Sequence, residues 1–293
     1  MSDVAVLLPR VAALFGAGGL CLIGARHRPD IAVLTARLRT WVVLAVIWFT
    51  AVAVGRPGVV TLAAFCGVVA AAEYRRLAVP PSRWHGWPRE HAVLLLAGGA
   101  LPLMTLAGGT VWLVSLALLL LAATVPPLLD QDVEQGLDRL ARTVLGVLWF
   151  GAACSALAVL PLAVLPLVGL ATAMADIGGF VGGAVRGRHR LAPRLSPGKT
   201  LEGVAGSTVL ATIGVALCAD VAGLPLWVAP PIGLAVALAA TWGDLLESLL
   251  KRSTGCKDTG TWLPGFGGLL DRVDSLLVTA PVAWALLTLM EVL

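Results

Sequence analysis

WGDLLESLLKRSTGCKDTGTWLPGFGGLLDRVDS, residues 242–275, is where a chain otherwise made of apolar segments crowds its charge. Asp244, Glu247, Ser248 and Lys251 stand at i, i+3, i+4 and i+7, which places them on one face of a helix. A glycine-rich loop follows, with Gly255, Gly260, Gly265, Gly267 and Gly268 and the pair Pro264-Gly265. Such residues end helices and let backbone come close to a ligand. Asp271, Asp274 and Ser275 then return at i, i+3 and i+4, again on one face. Two carboxylate-bearing helix ends, joined by a loop carrying Lys251, Arg252, Lys257 and Asp258, suit a divalent metal and a polyphosphate. Hard oxygen ligands hold Mg²⁺, and lysines and arginines hold phosphate oxygens.

The flanking sequence decides the class of fold. Of 293 residues, 58% are hydrophobic and only 13% charged, with a mean hydropathy of +0.92. A soluble domain carries roughly 25% charged residues, so the composition predicts an all-α, polytopic membrane protein. A spanning helix needs about 20 apolar residues. Ten segments qualify: Val4–Gly24, Trp41–Gly55, Val59–Glu73, Ala92–Leu106, Thr110–Leu128, Val144–Leu160, Pro161–Val185, Val204–Ala222, Leu226–Leu250 and Val273–Leu293. Only Pro161 divides the sixth from the seventh, so nine spans is the alternative. Arg56-Pro57-Gly58 is expected to form a tight turn between the second and third. We divide the chain into N-terminal transmembrane helices, 1–143, and a C-terminal catalytic region, 144–293. The N-terminus lacks a basic stretch followed by a cleavage site, so no removable signal peptide is expected.

A net charge of +4 and a pI near 9.0 do not indicate a nucleic-acid binder here, because the charge is distributed as a membrane protein distributes it. All but Arg10 and Arg56 of the 21 lysines and arginines fall in alternate loops: 25–40, 74–91, 129–143, 186–203 and 251–272. The positive-inside rule assigns those loops to the cytoplasm, and with ten spans both termini lie on the opposite side. The expected location is the cell (inner or plasma) membrane. Cys21, Cys66, Cys154 and Cys218 lie in apolar segments and Cys256 in the glycine-rich loop, without zinc-ligand spacing. Ile31–Thr40 mixes apolar residues with arginines, as either a short surface helix or a solvated loop. Trp84, His85, Trp87 and His91 look like an interfacial belt, and Asp130–Asp138 like a solvated acidic connector.

Two upstream stretches add functional candidates. Asp176 sits inside an apolar segment, where an acid is costly and marks function by default. Gly178, Gly179, Gly182 and Gly183 follow it and would serve either function or close helix packing. Loop 186–203, RGRHRLAPRLSPGKTLEG, turns at Pro197-Gly198 and runs through Lys199-Thr200 into a helix. Backbone N–H groups at a helix start favour phosphate. It is not a Walker A loop, because Pro193 stands where that frame needs glycine. Anchoring to anionic lipid is the plainer reading of its charge.

Residues 248–275 resemble the signature of the CDP-diacylglycerol synthases, or phosphatidate cytidylyltransferases: Ser-x-x-Lys-Arg, then Lys-Asp-x-Gly, then Pro-Gly-His-Gly-Gly-x-x-Asp-Arg-x-Asp. Asp176 with Phe180 and Gly183 resembles that family's Asp-x-x-Ala-Tyr-x-x-Gly, and residues 191–203 resemble its Leu-x-Pro-x-x-Ser-Pro-x-Lys-Thr-x-Glu-Gly. The resemblance covers about residues 176–280. One position departs: Phe266 stands where the pattern has histidine. The resemblance implies transfer of a cytidylyl group from CTP to phosphatidate, giving CDP-diacylglycerol and pyrophosphate in phospholipid biosynthesis. It implies Mg²⁺, with Mn²⁺ as substitute, on Asp244, Asp271 and Asp274. The catalytic set it implies is Asp244, Lys251, Lys257, Asp258, Asp271 and Asp274. Asp176, Ser196, Lys199, Thr200, Glu202, Ser248, Arg252 and Arg272 are the expected substrate contacts. CTP, phosphatidate and membrane lipids are the expected partners, and a homodimer is compatible with the reading; nucleic acid is not expected. The alternatives are a catalytically impaired paralogue that binds lipid or regulates a partner, and the same reaction on another lipid phosphate. A transporter is disfavoured, since the two halves show no internal repeat and the acids gather at one rim.

Overall fold

The computed structural model describes residues 9, 10, 12, 31–78, 88–255 and 268–292. The chain is a bundle of apolar helices: α1 (Ile31–Val54), α2 (Arg56–Ala78), α3 (Pro88–Met104), α4 (Gly109–Ala122), α5 (Val125–Leu129), α6 (Gly136–Gly146), α7 (Ala153–Val159), α8 (Leu165–Arg186), α9 (Leu201–Cys218), α10 (Ala229–Thr254) and α11 (Leu270–Leu289). A π-helical stretch, Val147–Ala152, joins α6 to α7 and buries both Trp149 and Phe150. Among the described residues, eight segments are long and apolar enough to span a membrane, and α1 adds the shorter apolar run Val42–Val54. The protein is therefore a multi-pass membrane protein, as its composition requires.

The observed segments correct several boundaries. The first expected span, Val4–Gly24, lies outside the described residues except at isolated positions. The sixth and seventh are separate helices, with residues 160–164 between them, and the sixth begins at Gly136 rather than Val144. Ile31–Thr40 is neither a loop nor a separate surface helix; it is the first part of α1. The turn expected at Arg56-Pro57-Gly58 falls one residue earlier, at Gly55 (φ 89°). Proline is tolerated in the first helical turn, where its missing N–H is not needed, so Pro57 helps begin α2. One departure from all-α is a small antiparallel hairpin, β1 (Arg190–Ala192) with β2 (Ser196–Thr200), between α8 and α9.

The two arginines that broke the charge alternation are held by the protein. Arg56 donates to the Leu160 carbonyl at 2.7 Å and to that of Ala158, at the end of α7. Arg10 donates to both carboxylate oxygens of Asp220 at 2.7 Å, which pulls the Asp220 carboxyl down to about 2. The acidic connector is also more than solvated. Arg139 is buried and bonds Asp130 at 2.7 Å, Asp132 at 3.0 Å and the buried carboxylate of Glu90. Arg139 holds Asp130 below the usual carboxylate range, and Asp132 is lowered first by the Gln135 N–H and then by Arg139.

Helix contacts set the positions of the functional segments. A Cβ on Gly178 would lie 2.3 Å from the Gly206 carbonyl oxygen, so α8 and α9 touch through their backbones. Packing is thus what this glycine of the 178–183 cluster serves, as small residues do in membrane helix pairs. Farther along the pair, Ser207 donates to the Ala175 carbonyl at 2.7 Å.

Candidate active site

Four elements meet at one end of the bundle: the C-terminal part of α8, the β-hairpin, the C-terminal turns of α10 and the start of α11. α10 ends at Gly255, whose φ of 71° is the left-handed geometry that glycine adopts freely. Lys251 and Arg252 occupy the last turn, where cations complement the helix dipole. Lys251 bonds Glu247 at 2.7 Å along its own helix and Asp271 at 2.6 Å across to α11. Asp271 turns its other oxygen to the Gly268 N–H at 2.7 Å. Glu247 is buried, and although it shares the helical face read from sequence, no role was assigned to it there. Asp274, one turn beyond Asp271, is buried and within hydrogen-bonding reach of Asp244.

Gly243 brings those two acids together. A Cβ there would lie 2.5 Å from the Asp274 carbonyl oxygen, so α10 and α11 approach as closely as glycine permits, beside Asp244. Asp244 also pairs with Lys199 of β2, whose Nζ lies 3.4 Å from the Thr241 carbonyl. Arg252 reaches the Leu195 carbonyl at 3.4 Å, a second tie between α10 and the hairpin. Thr200 is the N-cap of α9, its Oγ1 accepting the Gly203 N–H at 3.0 Å. Glu202 shapes the loop: it accepts from the backbone N–H groups of Arg188 at 3.1 Å and His189 at 3.2 Å and meets His189 Nδ1 at 2.6 Å. Ser196 and Ser248 are half-buried. Lys257, Asp258 and Phe266 lie outside the described residues.

Asp176 lies deeper, with the Ser275 hydroxyl 3.4 Å from its carboxylate. It and Arg272 line a mostly apolar cavity of about 200 Å³, walled by Leu44 and Trp48 of α1, Leu62 and Cys66 of α2, and Leu276 of α11. A polar rim therefore adjoins a hydrocarbon-lined space. Asp176, Asp244, Glu247, Asp271 and Asp274 face the cations Lys199, Lys251 and Arg272. Among the described residues these carboxylates outnumber the cations beside them, Arg252 included, and closely placed carboxylates need a shared proton or a cation. Among the described residues no three His, Cys, Asp or Glu groups already form a closed metal cage. The donor chemistry nonetheless fits Mg²⁺, which takes one or two carboxylates and completes its shell with water and phosphate oxygens.

Sequence reading missed Glu73. Its buried carboxylate, on α2, accepts the N–H groups of Leu269 at 3.0 Å and Leu270 at 2.7 Å, at the start of α11. Its one local signal was an acid at the edge of an apolar helix.

The described residues thus form a multi-pass helical membrane protein with lysines and carboxylates gathered at one end of its bundle, next to an apolar cavity. The chain matches the sequence model of the cytidylyltransferase family over residues 35–290 and belongs to that family. It is 46% identical over 122 residues to the phosphatidate cytidylyltransferase of Mycobacterium leprae (strain TN), covering 41% of this chain and 39% of that protein. It is 41% identical over 110 residues to the phosphatidate cytidylyltransferase of Brucella suis biovar 1 (strain 1330), covering 37% and 41%. Over 109 residues it is 41% identical to the uncharacterized protein YnbB of Escherichia coli (strain K12), covering 36% of each chain. The matched part spans about two fifths of the length of these curated relatives.

Proposed function

We propose that the protein transfers a cytidylyl group from CTP to phosphatidate, giving CDP-diacylglycerol and pyrophosphate. The observation that carries this reading is the position of the Lys251–Asp271 and Lys199–Asp244 pairs beside an apolar cavity that Asp176 and Arg272 enter. A phosphate oxygen of the lipid attacks the α-phosphorus of CTP, the new P–O bond forms, and the bond to pyrophosphate breaks. The nucleophile comes from the substrate, so no covalent enzyme intermediate is required. Such transfers depend chiefly on positioning and charge neutralisation.

The chain's residues divide that work. Lys199 and Lys251 exchange their carboxylate partners for phosphate oxygens, and Arg252 and Lys257 are the further phosphate contacts. Arg272, in the cavity wall, orients the lipid phosphate, while the acyl tails lie along α1 and α2. Thr200 and Glu202 fix the hairpin and the start of α9, which hold Lys199 in place; Ser196 and Ser248 are nucleotide contacts. Asp244, Asp271 and Asp274 are the carboxylates that would hold Mg²⁺, or Mn²⁺ in its place. That ion, when bound, would offset charge on the triphosphate and its leaving pyrophosphate. Asp258 would either orient Lys257 or serve as a further metal ligand. The site faces the cytoplasm from the cell membrane, which lets CTP enter from water and leaves the lipid in the bilayer.

Purified protein incubated with labelled CTP, Mg²⁺ and phosphatidate should yield CDP-diacylglycerol and pyrophosphate in equal amounts. Product only with a different lipid phosphate would change the substrate, and CTP binding without product would remove the transferase reading. Cysteines placed at Lys199 or Lys257 should resist impermeant reagents added outside intact cells, and labelling at either would overturn the orientation.

A further inference from the structure

The start of α11 is only partly capped by its own residues. Leu269 occupies the capping position and supplies no side-chain acceptor, yet the first N–H groups of a helix have no partner within it. Here the N–H groups of Gly268, Leu269 and Leu270 are buried, and each meets a carboxylate oxygen. Asp271 takes the first from its own helix. Glu73 takes the other two from a helix nearly two hundred residues earlier in the chain, using both of its oxygens. An anion here also complements the positive end of the helix dipole.

The helix that carries Glu73 is itself packed into the bundle. The neighbouring Tyr74 is fully buried, donates to the Arg142 carbonyl at 3.0 Å and packs edge-on against Phe150 with centroids 5.0 Å apart. Higher on α2, a Cβ on Gly67 would lie 2.4 Å from the Gly98 carbonyl oxygen, so α2 lies against α3 through backbone. The carboxylate of Glu73 is thus a fixed point in the bundle. It sets the height and rotation of the first turn of α11, which carries Asp271 to Lys251 and Asp274 to Asp244.

We propose that Glu73 is a positioning residue for the reaction: it caps α11 from a distant helix and fixes Asp271 and Asp274 in the geometry in which they serve metal and nucleotide. The metal part of this role rests on the function proposed above. A supporting group of this kind typically changes metal affinity or activity by about 10- to 100-fold when altered.

The test compares wild type with Glu73→Gln and Glu73→Asp in lipid nanodiscs. Glutamine keeps one accepting oxygen and turns an amide N–H₂ toward the other backbone N–H; aspartate keeps the charge with shorter reach. Amide hydrogen exchange in a peptide covering Gly268–Ser275 reports the cap. Mn²⁺ binding in the presence of a non-hydrolysable CTP analogue, followed by electron paramagnetic resonance, reports the positioning, with kcat and thermal stability measured alongside. Glu73→Gln should exchange faster at Leu269 and Leu270, bind Mn²⁺ roughly 10- to 100-fold more weakly and lose kcat in proportion, with thermal stability little changed. Glu73→Asp should lie between it and wild type, and it carries the comparison if the glutamine variant does not fold. Unchanged exchange, wild-type Mn²⁺ affinity in a variant, or no Mn²⁺ binding by the wild type would each overturn the proposal. So would lost thermal stability with metal affinity intact, which marks Glu73 as a packing group alone. If the wild type transfers no cytidylyl group, the proposed activity fails, while exchange and Mn²⁺ binding on the same samples still decide the role of Glu73.

Discussion

Replacing Gly243 by alanine adds one methyl group at a point of close backbone contact between α10 and α11. That carbon would lie 2.5 Å from the Asp274 carbonyl oxygen and 3.0 Å from both the Asp274 carbonyl carbon and Ser275 Cα. A carbon and a carbonyl oxygen rest at about 3.3 Å or more, so the helices must part by roughly 0.8 Å, and backbone on both sides leaves no side chain to yield. Overpacking of this kind costs about 1–3 kcal/mol of stability. The catalytic effect should be larger, because the displaced backbone belongs to Asp274 and adjoins Asp244; a misplacement of about 1 Å can cost on the order of 10²-fold in rate. The assay is cytidylyl transfer to phosphatidate, read as kcat and KM, with a thermal melt in the same detergent. Gly109→Ala is the control, because a methyl group there meets nothing within 4 Å. The expectation is a kcat near one hundredth of wild type for Gly243→Ala, a modestly lowered Tm, and no loss for Gly109→Ala. Wild-type kcat in Gly243→Ala, or equal losses in both variants, would refute the link between helix spacing and the carboxylates.

Chelation of divalent ions should abolish transfer, with Mg²⁺ or Mn²⁺ restoring it, and Asp271→Asn and Asp274→Asn should each lose most activity while remaining folded; full activity in excess chelator would contradict this. If Asp271 and Asp274 served only the helix dipole, they would contribute about 0.3–1 kcal/mol and be dispensable. Phe266→His should maintain or raise turnover on phosphatidate, by at most the ~10²–10⁴ of an acid–base group; lower turnover with a changed lipid preference would show instead that the ring forms part of a lipid pocket. The last prediction concerns pH. Asp130 and Asp132 are held below their ordinary value of 3.8, so their contribution is complete at neutral pH and is lost as pH falls through the depressed values. The thermal-stability gap between wild type and Asp132→Asn should therefore be widest near neutrality, begin to narrow below about pH 4 and vanish only below the lowered folded value; a gap that persists in stronger acid would contradict it.

The site was legible where its pattern is local. Asp244, Glu247 and Lys251, and then Asp271 and Asp274, declare themselves by helical spacing within short stretches, and the structure sets both groups face to face. Asp176 was legible because an acid inside an apolar run has few structural explanations. What escaped depends on partners distant in the chain. Glu73 carries no motif, and its task exists only once α2 lies beside the start of α11. Arg139 was counted as a loop cation, although its partners Glu90, Asp130 and Asp132 bury it. At Ile31–Thr40 the sequence left helix and loop open; the segment is helical, but continuous with the apolar stretch that follows it rather than a separate element.

The cavity beside Asp176 and Arg272 is built by two parts of the chain with different duties. Its charged groups come from α8 and α11, while Leu44, Trp48, Leu62 and Cys66 come from the first two described helices. Bulk can therefore be added to or trimmed from α1 without touching a lysine or carboxylate of the rim. On the function proposed above, variation in the hydrocarbon portion of the lipid becomes separable from the transfer chemistry, and α1 becomes the natural place to engineer tail length, one side chain at a time.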